Sequence, residues 1–266
     1  MKRSLHFLII FILLAFVFAC SKVPLTGRKQ LTLLPNSQVM SMSLAAYSDF
    51  LKTNPPLPSS HPTTQMVQQV GRKISQAVEK YMKEHGYKDR IEGYKWEFNA
   101  VDQKEVNAWC MPGGKVVVYT GIIPVTRDEA GLAVVMGHEI AHAIAEHGNE
   151  RMTEQLGIAL GGISLELALQ KQPQQTRDLF LLSYGIGTTL GSLAYSRQHE
   201  LEADRMGLIF MAMAGYDPEQ AIRFWTDMSK QSGPKPPAFL STHPSDVNRI
   251  AKLKKYLPEA KKYFKP

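Results

Sequence analysis

The sequence predicts a helix-rich α+β fold with a small β-sheet. Apolar residues recur at helical spacing in two long segments, residues 67–81 and 127–147. Between these segments the period changes to two, because residues 94–100 alternate apolar and polar side chains as a half-buried strand does. The 266-residue chain is 44% hydrophobic and 21% charged, which is enough apolar sequence for one sizeable core.

The first 19 residues have the layout of a secretory signal peptide. Lys2 and Arg3 precede an apolar run, residues 5–19, which ends in a small residue directly before Cys20. This junction resembles the lipobox of bacterial lipoproteins, which implies cleavage before Cys20 and membrane attachment through a lipid on that cysteine. Ser21 favours the outer membrane, by resemblance to lipoprotein sorting signals. An uncleaved anchor is the alternative, although the run is shorter than a typical spanning helix.

Composition narrows the range of partners. Cleavage would remove Lys2 and Arg3 and no acidic residue, so the formal net charge would fall by two, from +7 to +5. This mildly basic balance suits a protein near anionic lipid or polymer. Nucleic acid is not expected as a partner, because no dense Lys/Arg patch with interleaved aromatic residues is present. A lipidated Cys20 would leave Cys110 as a lone thiol, so no internal disulfide is expected. The oligomeric state is not indicated.

The chain divides into three regions. Residues 1–19 form the signal peptide, residues 20–60 contain the lipidated N-terminus, a tether and a first helix, and residues 61–266 form the main domain. The tether is predicted over 21–35, where Pro24, Gly27 and Pro35 interrupt regular structure.

The elements of the main domain follow in order. After the helix at 67–81 and the strand at 94–100, a Pro-Gly-Gly turn precedes a second strand at 115–120. The helix at 127–147 has a capping box in Thr126 and Glu129, and Gly148 is a natural stop.

The later part of the chain is also helical. Residues 152–196 predict a helical hairpin that packs beside the site or covers it as a lid. Residues 179–196 carry no charge, so a membrane-spanning helix is the alternative, but several glycines make this run only moderately apolar. Helices at 198–214 and after Asp217 complete the fold.

A metal-binding motif lies in the helix at 127–147. His138 and His142 are four residues apart, so both imidazoles lie on one helix face and can bind one ion. Glu139 stands next to the first histidine, where it can accept a proton from an activated water. Residues 134–144 are otherwise apolar, and three ionisable groups in a buried stretch are costly unless they bind something.

A catalytic zinc site has three protein ligands and one open position. His147 is excluded as the third ligand, because five residues after His142 a helix turns it away from the pair. Glu200 is the best candidate, since it shares a helix face with Asp204, which would then accept the free N–H of His138. The other candidates weighed were His199, Glu202 and His243.

The two segments His-Glu-Ile-Ala-His and Ser-Arg-Gln-His-Glu-Leu-Glu-Ala-Asp together resemble the gluzincin metallopeptidases of the HtpX and CAAX-prenyl-protease type. The resemblance covers nearly the whole mature chain and is strongest to the periplasmic lipoprotein branch with BepA- and LoiP-like proteases. It implies a zincin-like fold and a zinc ion bound by His138, His142 and Glu200, with Glu139 as general base and Asp204 behind a ligand histidine. It also implies that His243 covers the open zinc position or stabilises the oxyanion, and that Arg249 assists at the oxyanion.

In zinc peptidases generally, the substrate lies extended against an edge strand near the zinc helix. The residues assigned to this edge are Asn107, Ala108, Gly113, Gly114, Val116 and Val118. The expected function is a zinc endopeptidase of the cell envelope that hydrolyses misfolded or misassembled envelope proteins. There are two alternatives: a chaperone-like lipoprotein with structural zinc, and an exopeptidase that acts on short peptides.

Overall fold

The computed structural model describes residues 20–159, 165–184, 186, 195–230, 237–243 and 248–265. The predicted signal peptide and parts of the predicted hairpin, residues 160–164, 185 and 187–194, lie outside these ranges. The described part is helix-rich with two small sheets, which confirms the α+β class. Its helices are α1 (Asn36–Thr53), α2 (Pro62–Glu84), α3 (Ile123–Thr126), α4 (Glu129–Ile144), α5 (His147–Ala159), α6 (Leu165–Lys171), α7 (Pro173–Ser183), α8 (Arg197–Met213), α9 (Gln220–Lys230), α10 (Ala238–Thr242) and α11 (Arg249–Ala260).

The larger sheet has three strands, β3 (Glu97–Val101), β4 (Ala108–Met111) and β5 (Lys115–Tyr119). Their order is β3-β5-β4, with β5 parallel to β3 and antiparallel to β4. The assignment of β5 to the sheet edge is therefore wrong. Val116 pairs with both Phe98 and Cys110, and Val118 pairs with both Ala100 and Ala108, so the outer strand on this side is β4.

The turn between β4 and β5 contains both glycines that were assigned to the edge. Gly113 and Gly114 have φ of 85° and 77°, a left-handed conformation that side chains disfavour. The α1 residues Met40 and Ser43 cover the turn, since Ser43 donates a hydrogen bond to Pro112 O. These glycines shape a covered turn, and they do not form an open strand edge.

The segment predicted as a tether is docked on the domain. Strands β1 (Cys20–Lys22) and β2 (Lys29–Leu31) pair as an antiparallel hairpin. Val23 in the intervening turn is fully buried, and Arg28 forms ion pairs with Glu150 and Glu202. The sequence breakers make this turn, whereas burial of Val23 and pairing of Arg28 fix it to the core.

The helix predicted over 127–147 is two helices. Helix α4 is capped by Asp128, whose carboxylate accepts a hydrogen bond from Gly131 N, and the expected Thr126 cap is wrong because Thr126 ends helix α3. The chain breaks at Glu146, which has φ of 56°. Gly148, predicted to stop the first helix, lies inside α5 instead.

Helices α4 and α8 make the most extensive helix pair in the described structure. They cross where two glycines face each other. A Cβ on Gly207 would lie 2.9 Å from His138 N, and one on Gly137 would lie 2.9 Å from Gly207 O. Glycine at both positions therefore allows the two backbones to approach closely, and this approach brings the functional side chains together.

Within the described residues, no helix has the length and hydropathy needed to cross a membrane.

Candidate metal centre

Helices α4 and α8 bring potential metal ligands to one buried point. His138 and His142 lie one turn apart on α4, and Glu200 lies in the first turn of α8, which Ser196 caps. His243 directly follows α10 and joins them. The four side chains are buried and offer ligand atoms that all lie within 4.8 Å of one another. The structure thus unites the two motif histidines with Glu200 and His243.

The ligand atoms are spaced as around a single cation. His138 Nε2 lies 3.1 Å from His142 Nε2 and 3.2 Å from His243 Nδ1. Glu200 Oε1 lies 3.3 Å from His142 Nε2 and 2.9 Å from His243 Nδ1. Tetrahedral zinc with bonds of about 2.0–2.1 Å places its ligand atoms roughly 3.3–3.4 Å apart.

Two buried oxygens support the same assignment. Glu200 Oε2 and Glu139 Oε1 have no hydrogen-bond partner in the part of the chain that the structure describes. A buried unsatisfied carboxylate oxygen is costly, and a cation held between the imidazoles would satisfy it. The nitrogen and oxygen donors, their number and their spacing fit zinc.

Electrostatics at this point favour a cation. Burial would lower the pKa of His138, but the charges and hydrogen bonds of Glu200 and Asp204 raise it to about 9. Burial opposes ionisation of Glu200, yet His243 and His138 hold its pKa well below the usual value. Burial lowers the pKa of His142 well below its usual value, so this imidazole is neutral and its nitrogen is available as a ligand.

Asp204 takes the expected place behind the first histidine. Its Oδ1 accepts a hydrogen bond from His138 Nδ1 at 3.0 Å, which leaves His138 Nε2 for the metal. Arg249 donates to both oxygens of Asp204, from Nε at 2.8 Å and from Nη2 at 2.6 Å.

The structure places Arg249 against Asp204, and its predicted role at the oxyanion stays a prediction. Its guanidinium is buried, binds Asp204 with two nitrogens and lies 3.2 Å from the ring centroid of Trp225. These contacts direct the group to the rear of the metal site, where it fixes Asp204. The sequence could not reveal this, because Arg249 lies 45 residues beyond Asp204 in the chain.

Glu139 lies beside the ligand group without joining it. Its Oε1 is 3.3 Å from His243 Nε2. Burial raises the pKa of Glu139 above its usual value, which brings the carboxylate closer to the range where a general base is effective at neutral pH.

Sequence reasoning missed a second hydrogen-bonded set behind His142. His147 Nδ1 lies 2.9 Å from His142 Nδ1, and His147 Nε2 donates to Glu202 Oε2 at 3.0 Å. Burial lowers the pKa of His147 to about 4, so it is neutral. The helix break at Glu146 places His147 here. The sequence did not reveal this break, because Gly148 suggested that the helix ends two residues later.

The chain resembles proteins of known activity. Residues 68–257 match the sequence model of Peptidase family M48. The chain is 35% identical to "Mitochondrial metalloendopeptidase OMA1" of Schizosaccharomyces pombe over 246 residues, 90% of this chain and 66% of that protein. It is 32% identical to the human "Metalloendopeptidase OMA1, mitochondrial" over 251 residues, 90% of this chain and 46% of that protein.

A bacterial relative is also similar. The "Beta-barrel assembly-enhancing protease" of Escherichia coli strain K12 is 30% identical over 162 residues, which are 59% of this chain and 33% of that protein. The chain therefore spans between about a third and two thirds of the length of these relatives. The expected peptidase family is confirmed, whereas the similarity to mitochondrial proteins was not foreseen.

Proposed function

The chain belongs to peptidase family M48, and on this premise we propose that it is a zinc-dependent endopeptidase of the cell envelope. Its substrates would be misfolded or misassembled envelope proteins. The observation that carries the proposal is the convergence of His138, His142 and Glu200 on one buried point, with the carboxylate of Glu139 beside it.

The proposed reaction is hydrolysis of an internal peptide bond. Bound zinc would supply Lewis acidity, which lowers the pKa of a water molecule and polarises the scissile carbonyl. Glu139 accepts the proton of that water and later passes it to the leaving amine, so the water oxygen ends on the new carboxyl group. Asp204 and Arg249 hold His138 in the required tautomer throughout.

His243 has a second proposed role. Its imidazole lies within the ligand group, where a fourth protein ligand would close the site and exclude water. We propose that this arrangement is latent, and that His243 withdraws to open the site to substrate. His243 Nε2 lies 3.3 Å from Glu139 Oε1, and we propose it as a donor to the oxyanion once a substrate is bound.

Substrate would bind along β4, the outer strand of the larger sheet. Asn107 and Ala108 lie at its start, and the backbone of Val106 accepts a hydrogen bond from Phe239 N, four residues before His243. This connection supports a position beside the metal centre. All four residues of β4 are buried, so the segments that cover this strand would have to move before an extended peptide adds to it. Such a peptide would gain backbone hydrogen bonds with little dependence on sequence.

We further propose a lipid on Cys20 and an outer-membrane location facing the periplasm. The support is the signal-like residues 1–19, the small residue before Cys20, and the likeness to a bacterial protease named for β-barrel assembly. Membrane fractionation tests this location, since other relatives of the chain are named as mitochondrial.

A zinc-binding chaperone without turnover is the competing function, and the closed arrangement with His243 is the observation that favours it.

Replacing Glu139 by Gln distinguishes the peptidase from the chaperone. The variant should keep one zinc per chain and lose cleavage of an unfolded protein such as reduced casein. The matched control is Glu154→Gln on exposed α5 surface, which should cleave like the wild type. Full activity in Glu139→Gln would refute the peptidase proposal, and cleavage of short free peptides alone would indicate an exopeptidase.

A further inference from the structure

We infer that the N-terminal turn, residues 23–28, is part of the metal site and orients His142 through His147 and Glu202. The inference rests on the proposed zinc function. It assigns Arg28, Glu202 and His147 as positioning residues, since none of them lies in the group of potential metal ligands.

The first step is the orientation of His142. Its Nε2 faces the ligand group, 3.1 Å from His138 Nε2, so the proton of the neutral ring resides on Nδ1. That N–H donates to His147 Nδ1 at 2.9 Å. Because His147 accepts at Nδ1, its own proton must be on Nε2, which donates to Glu202. The neutral His147 thus links the carboxylate of Glu202 to His142 and fixes the orientation of the His142 ring.

The second step is the hold of the turn on Glu202. Arg28 Nε donates to Glu202 Oε2 at 2.6 Å, the same oxygen that accepts from His147. The hydroxyl of Thr26 donates to the other oxygen, Oε1. Glu202 is buried and its two oxygens are bound from the turn, so the carboxylate has one orientation.

The third step is the rigidity of the turn itself. Val23 is fully buried, and its N–H and C=O bond to Arg28 O and Gly27 N. Leu25 and Gly27 adopt left-handed backbone conformations, with φ of 63° and 69°. Leu25 carries a side chain at such a φ, a strained conformation that persists only where surrounding contacts determine it.

Arg28 also binds a second carboxylate. Its Nη1 and Nη2 donate to the two oxygens of Glu150 at 2.8 and 2.7 Å. Glu150 in turn accepts from His199 Nε2 at 3.1 Å, and the ring of His199 stacks on His147 with centroids 4.4 Å apart. One guanidinium therefore binds two largely buried carboxylates that support this pair of imidazoles.

Loss of the guanidinium would leave the carboxylates of Glu150 and Glu202, both largely buried, without the cation that they share. Without the guanidinium between them the two like charges repel, so at least one carboxylate would move away from its present position. Movement of Glu202 removes a strong acceptor from His147, and the tautomer of His142 is then no longer specified. The expected consequence is weaker zinc binding in a protein whose ligands are all intact.

The test measures the zinc dissociation constant of the folded, full-length mature chain by competition with a chromogenic chelator. Partners of metal ligands typically contribute about tenfold to a hundredfold in metal affinity, so we expect a loss of this size in His147→Leu and about tenfold in Arg28→Gln. His147→Gln should recover most of the affinity, because an amide can accept from His142 and donate to Glu202. The matched control is Arg205→Gln. Arg205 lies on the same helix as Glu202, but its guanidinium pairs only with Glu259 among the described salt bridges.

The outcomes are distinct. Zinc binding within about twofold of wild type in folded Arg28→Gln and His147→Leu would overturn the inference, as would an equal loss in Arg205→Gln. If Arg28→Gln does not fold, Thr26→Val gives the answer by the same measurement, because it loses the hydroxyl bond to Glu202 and otherwise only a long bond from Arg28 N at 3.4 Å. Failure of the wild type to bind zinc would instead refute the proposed function.

Discussion

Replacing Gly207 by Ala tests whether the close approach of α4 and α8 builds the metal centre. The new Cβ would lie 2.9 Å from His138 N and 3.0 Å from Gly137 C, whereas ordinary contact begins at 3.4 Å. Both neighbours are backbone atoms, which cannot rotate away as a side chain could. The two helices must therefore separate by about half an ångström, because a close-packed interior offers no slack.

The magnitude follows from two opposing effects. Overpacking a core costs about 1–3 kcal/mol, and contact with backbone places this site at the upper end. Alanine in place of glycine within a helix returns about 1 kcal/mol. The net loss in the free energy of unfolding should be about 2 kcal/mol. Zinc affinity should fall as well, since a shift of about half an ångström exceeds the ~0.2 Å tolerance of metal–ligand distances.

Urea unfolding of the metal-free protein measures the first effect, and chelator competition measures the second. The matched control is Gly157→Ala in helix α5, where an added Cβ meets nothing within 4 Å. This control should be stabilised by up to about 1 kcal/mol through helix propensity alone. If Gly207→Ala were stabilised to the same extent and bound zinc like the wild type, the close-approach argument would be wrong.

Three further predictions concern the surroundings of the site. His243→Ala should raise the rate of casein cleavage if the ring closes the site; a lower rate would assign it to the transition state, and an unchanged rate would dismiss both roles. Asp204→Asn should weaken zinc binding by about tenfold to a hundredfold, measured by chelator competition, because His138 loses a charged acceptor. Burial opposes ionisation of Glu150, but hydrogen bonds from Arg28 and His199 lower its pKa to about 2. A depressed pKa stabilises the fold above the usual value near 4.5, and this contribution should disappear as the pH falls toward 2. Acid unfolding of Glu150→Gln, compared with wild type, should show a flatter pH dependence in that window.

The ligand helices were predictable because their signals are local. Two histidines four residues apart fix a shared helix face, and the same spacing relates Glu200 to Asp204. The structure places Asp204 on His138, as that spacing predicted. Local periodicity also gave helix α8 to within a residue at each end.

What the sequence did not give depends on contacts between distant segments. Arg28 lies 174 residues from Glu202 and 122 from Glu150, so no spacing rule relates them. The strand β4 escaped detection because all four of its residues are buried and show no alternation. With β4 unseen, β5 was taken for the edge, and the error in Val116 and Val118 followed from that omission.

Charge balance explains why these buried groups need a cation. Glu139, Glu200 and Asp204 place three carboxylates around the site, and Arg249 is the single guanidinium that contacts them in the described structure. With neutral imidazoles the formal charge is −2, which one divalent ion would cancel. In the metal-free protein the pKa of His138, raised to about 9 by Glu200 and Asp204 against the effect of burial, points to a proton taking its place. Zinc binding should therefore release protons, and calorimetry in buffers of different ionisation enthalpy would count them; binding with no proton release would contradict this balance.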